Sequence, residues 1–352
     1  MKSQDGPGFF LRVFHAMRTF FREHWKTIVA IILLAVLAMV TVNPGAAAPD
    51  IPLAARLRTH VAAIASSEHN TANPAKLEEA ARYIETALRN EGYTVRRQEY
   101  QAGGQKVRNI EVSVANVAPK AKPARIFIIG AHYDSAPGAP GANRSDNTGG
   151  SGTAAVLELA RLLKDMRPSQ GTEVKFVFFV NEEPPWFSGE EMGSMQHARQ
   201  LHEDGQHVEG ALVLETIGWY SQQRHSQKLP PGLEGRYPDT GYPDIGNFIA
   251  FVGTVQSSRL VQDALSAFRA ASDFPAHGLA APAYVQGVTL SDHSSYNRFG
   301  YPAIMITDTA FMRYPYYHTA EDTPDKLDYE STARVVKGLA RTITALAAGQ
   351  QG

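Results

Sequence analysis

Two short apolar runs on either side of a helical pattern constrain this chain more than anything else in its sequence. RIFIIGAH (residues 125–132) and VKFVFFV (174–180) carry too few polar residues to offer a face to water, so each reads as a strand buried on both sides. Between them, SGTAAVLELARLLKDM (151–166) reads as a helix. PAKLEEAARYIETALRNEG (74–92) opens on proline, repeats apolar residues at helical spacing and closes on glycine, which predicts another helix. Strands are expected at 93–100, 107–114, 211–215, 248–253 and 302–307, and further helices at 258–271 and 329–348. Strands alternating with helices predict an α/β fold, a mostly parallel mixed β-sheet flanked by helices on both faces. Such sheets place their ligands at the carboxyl ends of the strands.

Composition narrows the function. Hydrophobic residues make up 43% of 352, enough for a sizeable core. Lys plus Arg is 34 and Asp plus Glu is 35, so no basic surplus points toward nucleic acid, and none is expected as a partner. With no cysteine, thiol nucleophiles, disulfides and cysteine-ligated zinc or iron–sulfur sites are all excluded.

The N-terminus reads differently. Residues 1–26 carry Lys2, Arg12, Arg18, Arg22 and Lys26 against Asp5 and Glu23. TIVAIILLAVLAMVTV (27–42) then runs sixteen residues without a charge. Trp25 and Lys26, an interfacial aromatic and a snorkelling cation, extend its effective span, and it reads as one transmembrane signal anchor. The basic flank stays cytoplasmic, which puts the rest of the chain on the periplasmic or extracellular side. A cleaved signal peptide is the rival reading, since Gly45, Ala46, Ala47 and Ala48 supply small residues. Within 9–21, Phe10, Val13, Phe14, Met17 and Phe21 share one helical face, as in a helix lying on the inner leaflet or in a plain helical extension of the anchor. The expected organisation is a basic segment 1–26, an anchor 27–42 in the lipid bilayer, a linker 43–50 and one catalytic domain 51–352. The stretch 220–246, rich in Gly, Pro, Gln and Arg, is too long for an ordinary connection and reads as a binding or lid element, or else a mobile one.

The polar residues of interest fall where strands stop. His132 and Asp134 end the first buried strand, Asp146 precedes the next helix, Glu182 and Glu183 end the second strand, Glu215 ends the third, and His318 follows the PAIMIT strand. Any one of these carboxylates alone is as well explained by a helix cap or a solvated loop. Together, two imidazoles and several carboxylates without sulfur are the donors of a hard-to-borderline metal site. One catalytic zinc needs two histidines and a carboxylate; the surplus of carboxylates fits two metals roughly 3.5–4 Å apart.

GAHYDSAPGAPGANRSDNTGGSGTAAVLELARLL, NEEPPWF, LVLETIGWYS and SDHSSYNRFGYPAIMITDTAFMRYPYYHTAEDT, taken in order, resemble the zinc-dependent exopeptidases that include bacterial secreted leucine aminopeptidase, aminopeptidase Y and glutamate carboxypeptidase. The resemblance runs from about residue 66 to the last helix. It implies two zinc ions, with His132 and Glu215 on one, Glu183 and His318 on the other, and Asp146 bridging. It further implies Glu182 as the general base and Asp134 as the carboxylate that orients the imidazole of His132. Peptides would be the substrates. Many relatives have aspartate where Glu215 stands, and the loop after Asp146 is longer than their usual spacing; neither change loses a ligand.

Asp292 and His293 resemble a family position near the substrate, and a loop carboxylate beside a satisfied histidine describes them equally well. Asp322 is expected to hold the His318 loop. Trp219, Tyr220, Tyr314, Tyr316 and Tyr317 read either as the lining of an apolar side-chain pocket or as core. The leading expectation is a metal-dependent aminopeptidase. Its alternatives are a single-zinc glutaminyl cyclase of the same fold and a membrane-anchored binding protein without catalysis. A serine hydrolase is disfavoured because no G-x-S-x-G elbow occurs.

Overall fold

A computed structural model describes residues 52–65, 67–136, 147–229 and 244–348. The expected basic segment, anchor and linker, together with Asp146 and residues 230–243 of the long loop, lie outside the described residues. Among the described residues no helix is long and apolar enough to cross a membrane.

In chain order the elements are α1 (Leu53–Ile64), α2 (Pro74–Asn90), β1 (Arg96–Ala102), β2 (Gln105–Asn116), β3 (Arg125–His132), α3 (Asn147–Leu163), β4 (Thr172–Phe179) and α4 (Gly193–Glu203). They continue with β5 (Val208–Leu214), β6 (Ile249–Thr254), α5 (Ser258–Ala271), β7 (Ala276–Ala281), α6 (His293–Arg298), β8 (Ala303–Thr307) and α7 (Tyr329–Ala348). All eight strands join one sheet in the order β1-β2-β4-β3-β5-β8-β6-β7. The central four, β4-β3-β5-β8, are parallel throughout. β1 and β2 form an antiparallel flank, closed by a turn in which Gly103 and Gly104 both have positive φ, as a two-residue hairpin turn requires. On the other flank β6 runs antiparallel to β8 and carries β7 parallel to itself. The expected mixed sheet is present, with its parallel pairing concentrated in the centre.

Side-chain alternation explains why both central runs are apolar throughout. Phe127, Ile129 and Ala131 of β3 enter one core cluster and Ile126 and Ile128 the other; in β4, Val174, Phe176 and Phe178 divide in the same way from Val177 and Phe179. Helices α1, α2, α3, α5 and α7 cover the first face through Leu57, Ile84, Leu159, Phe268 and Leu339, while α4 and α6 cover the second through Leu201 and Tyr296. Each of these side chains stabilises the fold by roughly 1.5–3 kcal/mol on full burial. α3 lies unusually close to the strand ends. A Cβ on Gly152, in the second turn of the helix, would meet the Leu214 carbonyl oxygen at 2.5 Å and the Ala131 Cβ at 3.2 Å, so only glycine lets the helix pass that close.

Candidate functional site

Because β4, β3, β5 and β8 are parallel neighbours, their carboxyl ends line one edge of the sheet. His132 is the last residue of β3, Glu182 and Glu183 follow the end of β4, and Glu215 directly follows β5. The edge therefore gathers, from three separate stretches of sequence, groups that no local motif would bring together. His132, Glu182 and Glu183 each offer a ligand atom within 4.8 Å of the others. His132 Nε2 lies 3.8 Å from Glu182 Oε2 and 3.7 Å from Glu215 Oε2. All four side chains are buried.

The imidazole is fixed from behind. Its Nδ1–H donates to the carbonyl oxygen of Asp134 at 3.0 Å, and the hydroxyl of Thr153 donates to the His132 carbonyl at 2.6 Å. In the neutral ring Nδ1 carries the proton and Nε2 the lone pair, and Nε2 is buried without a hydrogen-bond partner; only a cation there, a proton or a metal ion, settles it against the carboxylates it faces. That orphaned nitrogen, in an oxygen- and nitrogen-donor set, is what a zinc ligand looks like before it is shared with the metal.

The carboxylate of Asp134 does something the sequence did not foretell. Its Oδ1 is 3.6 Å from Nδ1 of His132, beyond hydrogen-bonding reach, so the carbonyl and not the carboxylate orients the ring. The two carboxylate oxygens instead accept the backbone N–H groups of Glu182, at 3.1 Å, and Glu183, at 3.2 Å. Asp134 is thus a clamp that holds the adjacent acidic pair to the end of β3. Asn181, just before that pair, is in the left-handed region with φ +61°, which turns the chain so that both glutamates reach the edge.

His318 arrives from the other side. Its Nε2 is 3.2 Å from Glu183 Oε1, its φ is +54°, and its ring stacks on Tyr317 with centroids 3.9 Å apart. The segment bearing it is tied down at both ends. Asp308 accepts the backbone N–H of Trp219 at 2.8 Å, and buried Asp322 accepts the hydroxyl of Tyr314, so Asp322 does brace the His318 loop. Asp146 lies outside the described residues.

Two neighbours complete the edge. The hydroxyl of Ser291, which sequence reasoning passed over, donates to Glu215 Oε2 at 2.7 Å. Asp292 is fully buried with neither carboxylate oxygen in a hydrogen bond. Burial pushes its pKa up to about 7; His132 opposes this, while Asp134 and Glu215 add to it. His293 is structural by comparison. Its Nε2–H donates to the carbonyl oxygen of Val288 at 2.7 Å, and burial holds its pKa down to about 4, so the ring is neutral. In Glu182, burial raises the pKa well above the usual range, His132 opposes it, and the charges of Glu183, Glu215 and Asp292 raise it further. For His132, burial works against the charged form, yet Glu182, Asp134 and Glu215 drive its pKa well above the ordinary value. The shifts of Asp292, Glu182 and His132 describe an edge with more negative charge than it can settle by itself.

Beside Glu215 opens an apolar pocket. Its floor is a row across three strands, Leu279 of β7 opposite Val252 of β6 and Val252 opposite Met305 of β8. Val288, Phe311 and Met312 close its walls, and of the five aromatic residues singled out from the sequence only Tyr317 lines it. Tyr220 packs edge-on against Phe274, and Tyr314 contacts both Trp219 and Tyr316.

The family model described as Peptidase family M28 matches residues 113–343. The chain is 39% identical over 273 residues to the Uncharacterized protein YfbL of Escherichia coli (strain K12), covering 75% of this chain and 78% of that one. It is 27% identical over 250 residues to the Probable leucine aminopeptidase 1 of Trichophyton verrucosum, covering 67% of this chain but only 58% of that longer protein. Among solved structures, the Legionella pneumophila LapA aminopeptidase superposes with a TM-score of 0.63 at 19% identity, over 85% of this chain and 73% of that chain. Porphyromonas gingivalis glutaminyl cyclase gives 0.60, also at 19% identity, over 83% and 98%. At such identities the likeness of the structures speaks for the fold. The family match over residues 113–343 and the strand-end edge of histidine and carboxylates agree, and this chain belongs to peptidase family M28.

Proposed function

We propose that the chain is a zinc-dependent aminopeptidase that removes an apolar residue from the amino terminus of a peptide. The observation that carries this reading is the acidic pair Glu182–Glu183, clamped through both backbone amides by Asp134 and facing His132 across a buried edge. His132 and Glu215 would hold one ion and Glu183 and His318 a second, with Asp146 expected between them. Zinc bound there would polarise a peptide carbonyl and acidify water. Glu182, buried and of raised pKa, suits a group that accepts a proton from the attacking water and returns it to the nitrogen of the departing peptide as the C–N bond breaks. Asp134 holds that carboxylate in place, and the walls of the buried edge keep bulk water away from it.

The pocket beside Glu215 favours an aminopeptidase over a cyclase. A glutaminyl cyclase must seat a side-chain carboxamide, whereas Leu279, Val252, Met305, Met312 and Phe311 outnumber the polar Gln286, Thr307 and Thr309 in this pocket and offer an aliphatic or aromatic side chain most of its surface. The names of two relatives, a fungal leucine aminopeptidase and LapA, support the same choice. Residues 27–42 would anchor the protein with the catalytic part on the far side of the membrane, a reading that rests on the sequence alone. Protease digestion of intact cells tests it, since a cytoplasmic site would leave the protein uncut.

The deciding experiment incubates the zinc-loaded protein, with Glu182→Gln as control, on a panel of peptides that includes one beginning with glutamine, and reads the products by mass. Release of apolar N-terminal residues by the parent only is the expected result. Loss of ammonia from the glutamine peptide alone would make the protein a cyclase, and no product from any peptide would leave a binding protein.

A further inference from the structure

We propose that a second groove, running along α6 to Arg298, binds the carboxyl-terminal part of a short peptide, with Arg298 taking the terminal carboxylate; this rests on the aminopeptidase reading. The groove is a cavity of about 730 Å³ bordered by Phe187, Ser188, Val255, Leu290, Asn297 and Arg298. Leu290 is a wall it shares with the apolar pocket beside Glu215. Ser188 lies on the stretch that follows Glu182 and Glu183. The groove therefore borders, across Leu290, the pocket beside Glu215 where the side chain of a peptide's first residue would sit.

Its surface is that of an interface. Five large hydrophobic side chains are exposed among the described residues, and four of them gather here: Val255 and Leu290 line the groove, Tyr284 adjoins its wall at Ala283, and Phe311 lies in the neighbouring pocket. Such clustering on a soluble surface marks a place where something apolar docks. The guanidinium of Arg298 is exposed and makes no ion pair or hydrogen bond with another described residue. An unpaired cation at the end of an apolar groove matches a peptide with a hydrophobic side chain and a terminal carboxylate.

Length follows from the helix. Ser291 touches Glu215, and from Asp292 the six residues of α6 end at Arg298. At ~1.5 Å per residue that is about 9 Å. An extended peptide advances ~3.3 Å per residue, so about three residues span the distance. The groove thus selects tripeptides and tetrapeptides over longer chains.

The test uses the full-length, zinc-loaded protein on the tripeptide Leu-Gly-Phe and its C-terminal amide, extended to a series of two to six residues. The acid is expected to exceed the amide in kcat/KM by about tenfold through KM, most at three or four residues, as one charge-assisted hydrogen bond allows. Arg298→Ala should bring that ratio to about one and Arg298→Lys should restore part of it. Equal kcat/KM for acid and amide in the parent, or an unchanged ratio in Arg298→Ala, overturns the proposal. Leucine p-nitroanilide, which has no carboxylate, reports on the aminopeptidase reading separately. Should nothing be hydrolysed, calorimetric titration of the same two peptides onto the full chain still decides: tighter binding of the acid, lost in Arg298→Ala, supports the groove, and equal affinities sink it.

Discussion

Glu85 and Glu182 are both buried glutamates, and the protein treats them in opposite ways. Glu85, on α2, accepts hydrogen bonds from Arg97 Nε at 2.7 Å, Arg89 Nη2 at 2.9 Å and Arg108 Nε at 2.8 Å. Burial alone would raise its pKa, but those bonds from Arg97, Arg89 and Arg108 win and hold it at about 2. Glu182 at the sheet edge has burial and three neighbouring carboxylates against it and only His132 in its favour. No guanidinium or ammonium group pairs with Glu182, Glu215 or Asp292 among the described residues. The fold can neutralise a buried carboxylate completely, and it does so where only stability is at stake. At the strand ends it leaves the charge open, which is the arrangement expected where the cation comes from solution.

The contrast can be broken in several places. The largest effect is expected from taking away the outside cation: chelation should abolish peptide hydrolysis and added zinc restore it, while His318→Ala should lower bound zinc, as measured by elemental mass spectrometry. Glu182→Gln should lower turnover by ~10² or more with zinc content intact, the loss typical of a general acid/base. Zinc at about a hundred times its dissociation constant should raise the unfolding free energy by about 2.7 kcal/mol, and no change in melting on chelation would remove the contrast altogether. Glu85→Gln should destabilise the fold by about 1–3 kcal/mol, discounted because Arg89 and Arg97 are half exposed and retain water. Since the folded pKa of Glu85 is depressed, its contribution is complete above the unfolded value of about 4.3 and is lost as pH falls toward 2. Melting curves of parent and Glu85→Gln should accordingly differ at pH 6 and converge near pH 2. Smallest is Ser291→Ala, which removes the hydroxyl from Glu215 and should weaken zinc binding about tenfold while leaving Glu85 and its arginines untouched.

Much of this was legible in the chain. The bounds of β3 follow from an unbroken apolar run and those of α5 and α7 from apolar periodicity, and the sequence alone places His132, Glu182, Glu183 and Glu215 at strand ends and His318 after the last strand. What escaped has physical reasons. Strand β7, AHGLAA, lacks the β-branched and aromatic residues by which strands announce themselves, and it forms only by pairing with β6. α4, GSMQHARQLHE, interrupts its apolar positions with so many polar ones that its pattern is visible only beside β2 and α6. Helix α1, LAARLRTHVAAI, has no capping side chain to mark its start. Periodicity carries no strand direction, so the reversal at β6 and the row Leu279–Val252–Met305 that it creates could not be read. Nor could the target of Asp134, because a carboxylate two residues after a histidine reaches backbone amides 48 and 49 positions away only once β3 and β4 are paired.

That reversal has a consequence for how such a protein can diverge. β6 and β7 contribute two of the three strands beneath the pocket, yet none of the residues expected to hold metal lies on either. Substitutions at Val252 or Leu279 can deepen, narrow or fill the pocket while the ends of β3, β4 and β5 stay where they are. On the proposed reading, preference for a side chain and capacity for hydrolysis would be inherited on separate parts of one sheet, so that a lineage could change its diet without rebuilding its chemistry.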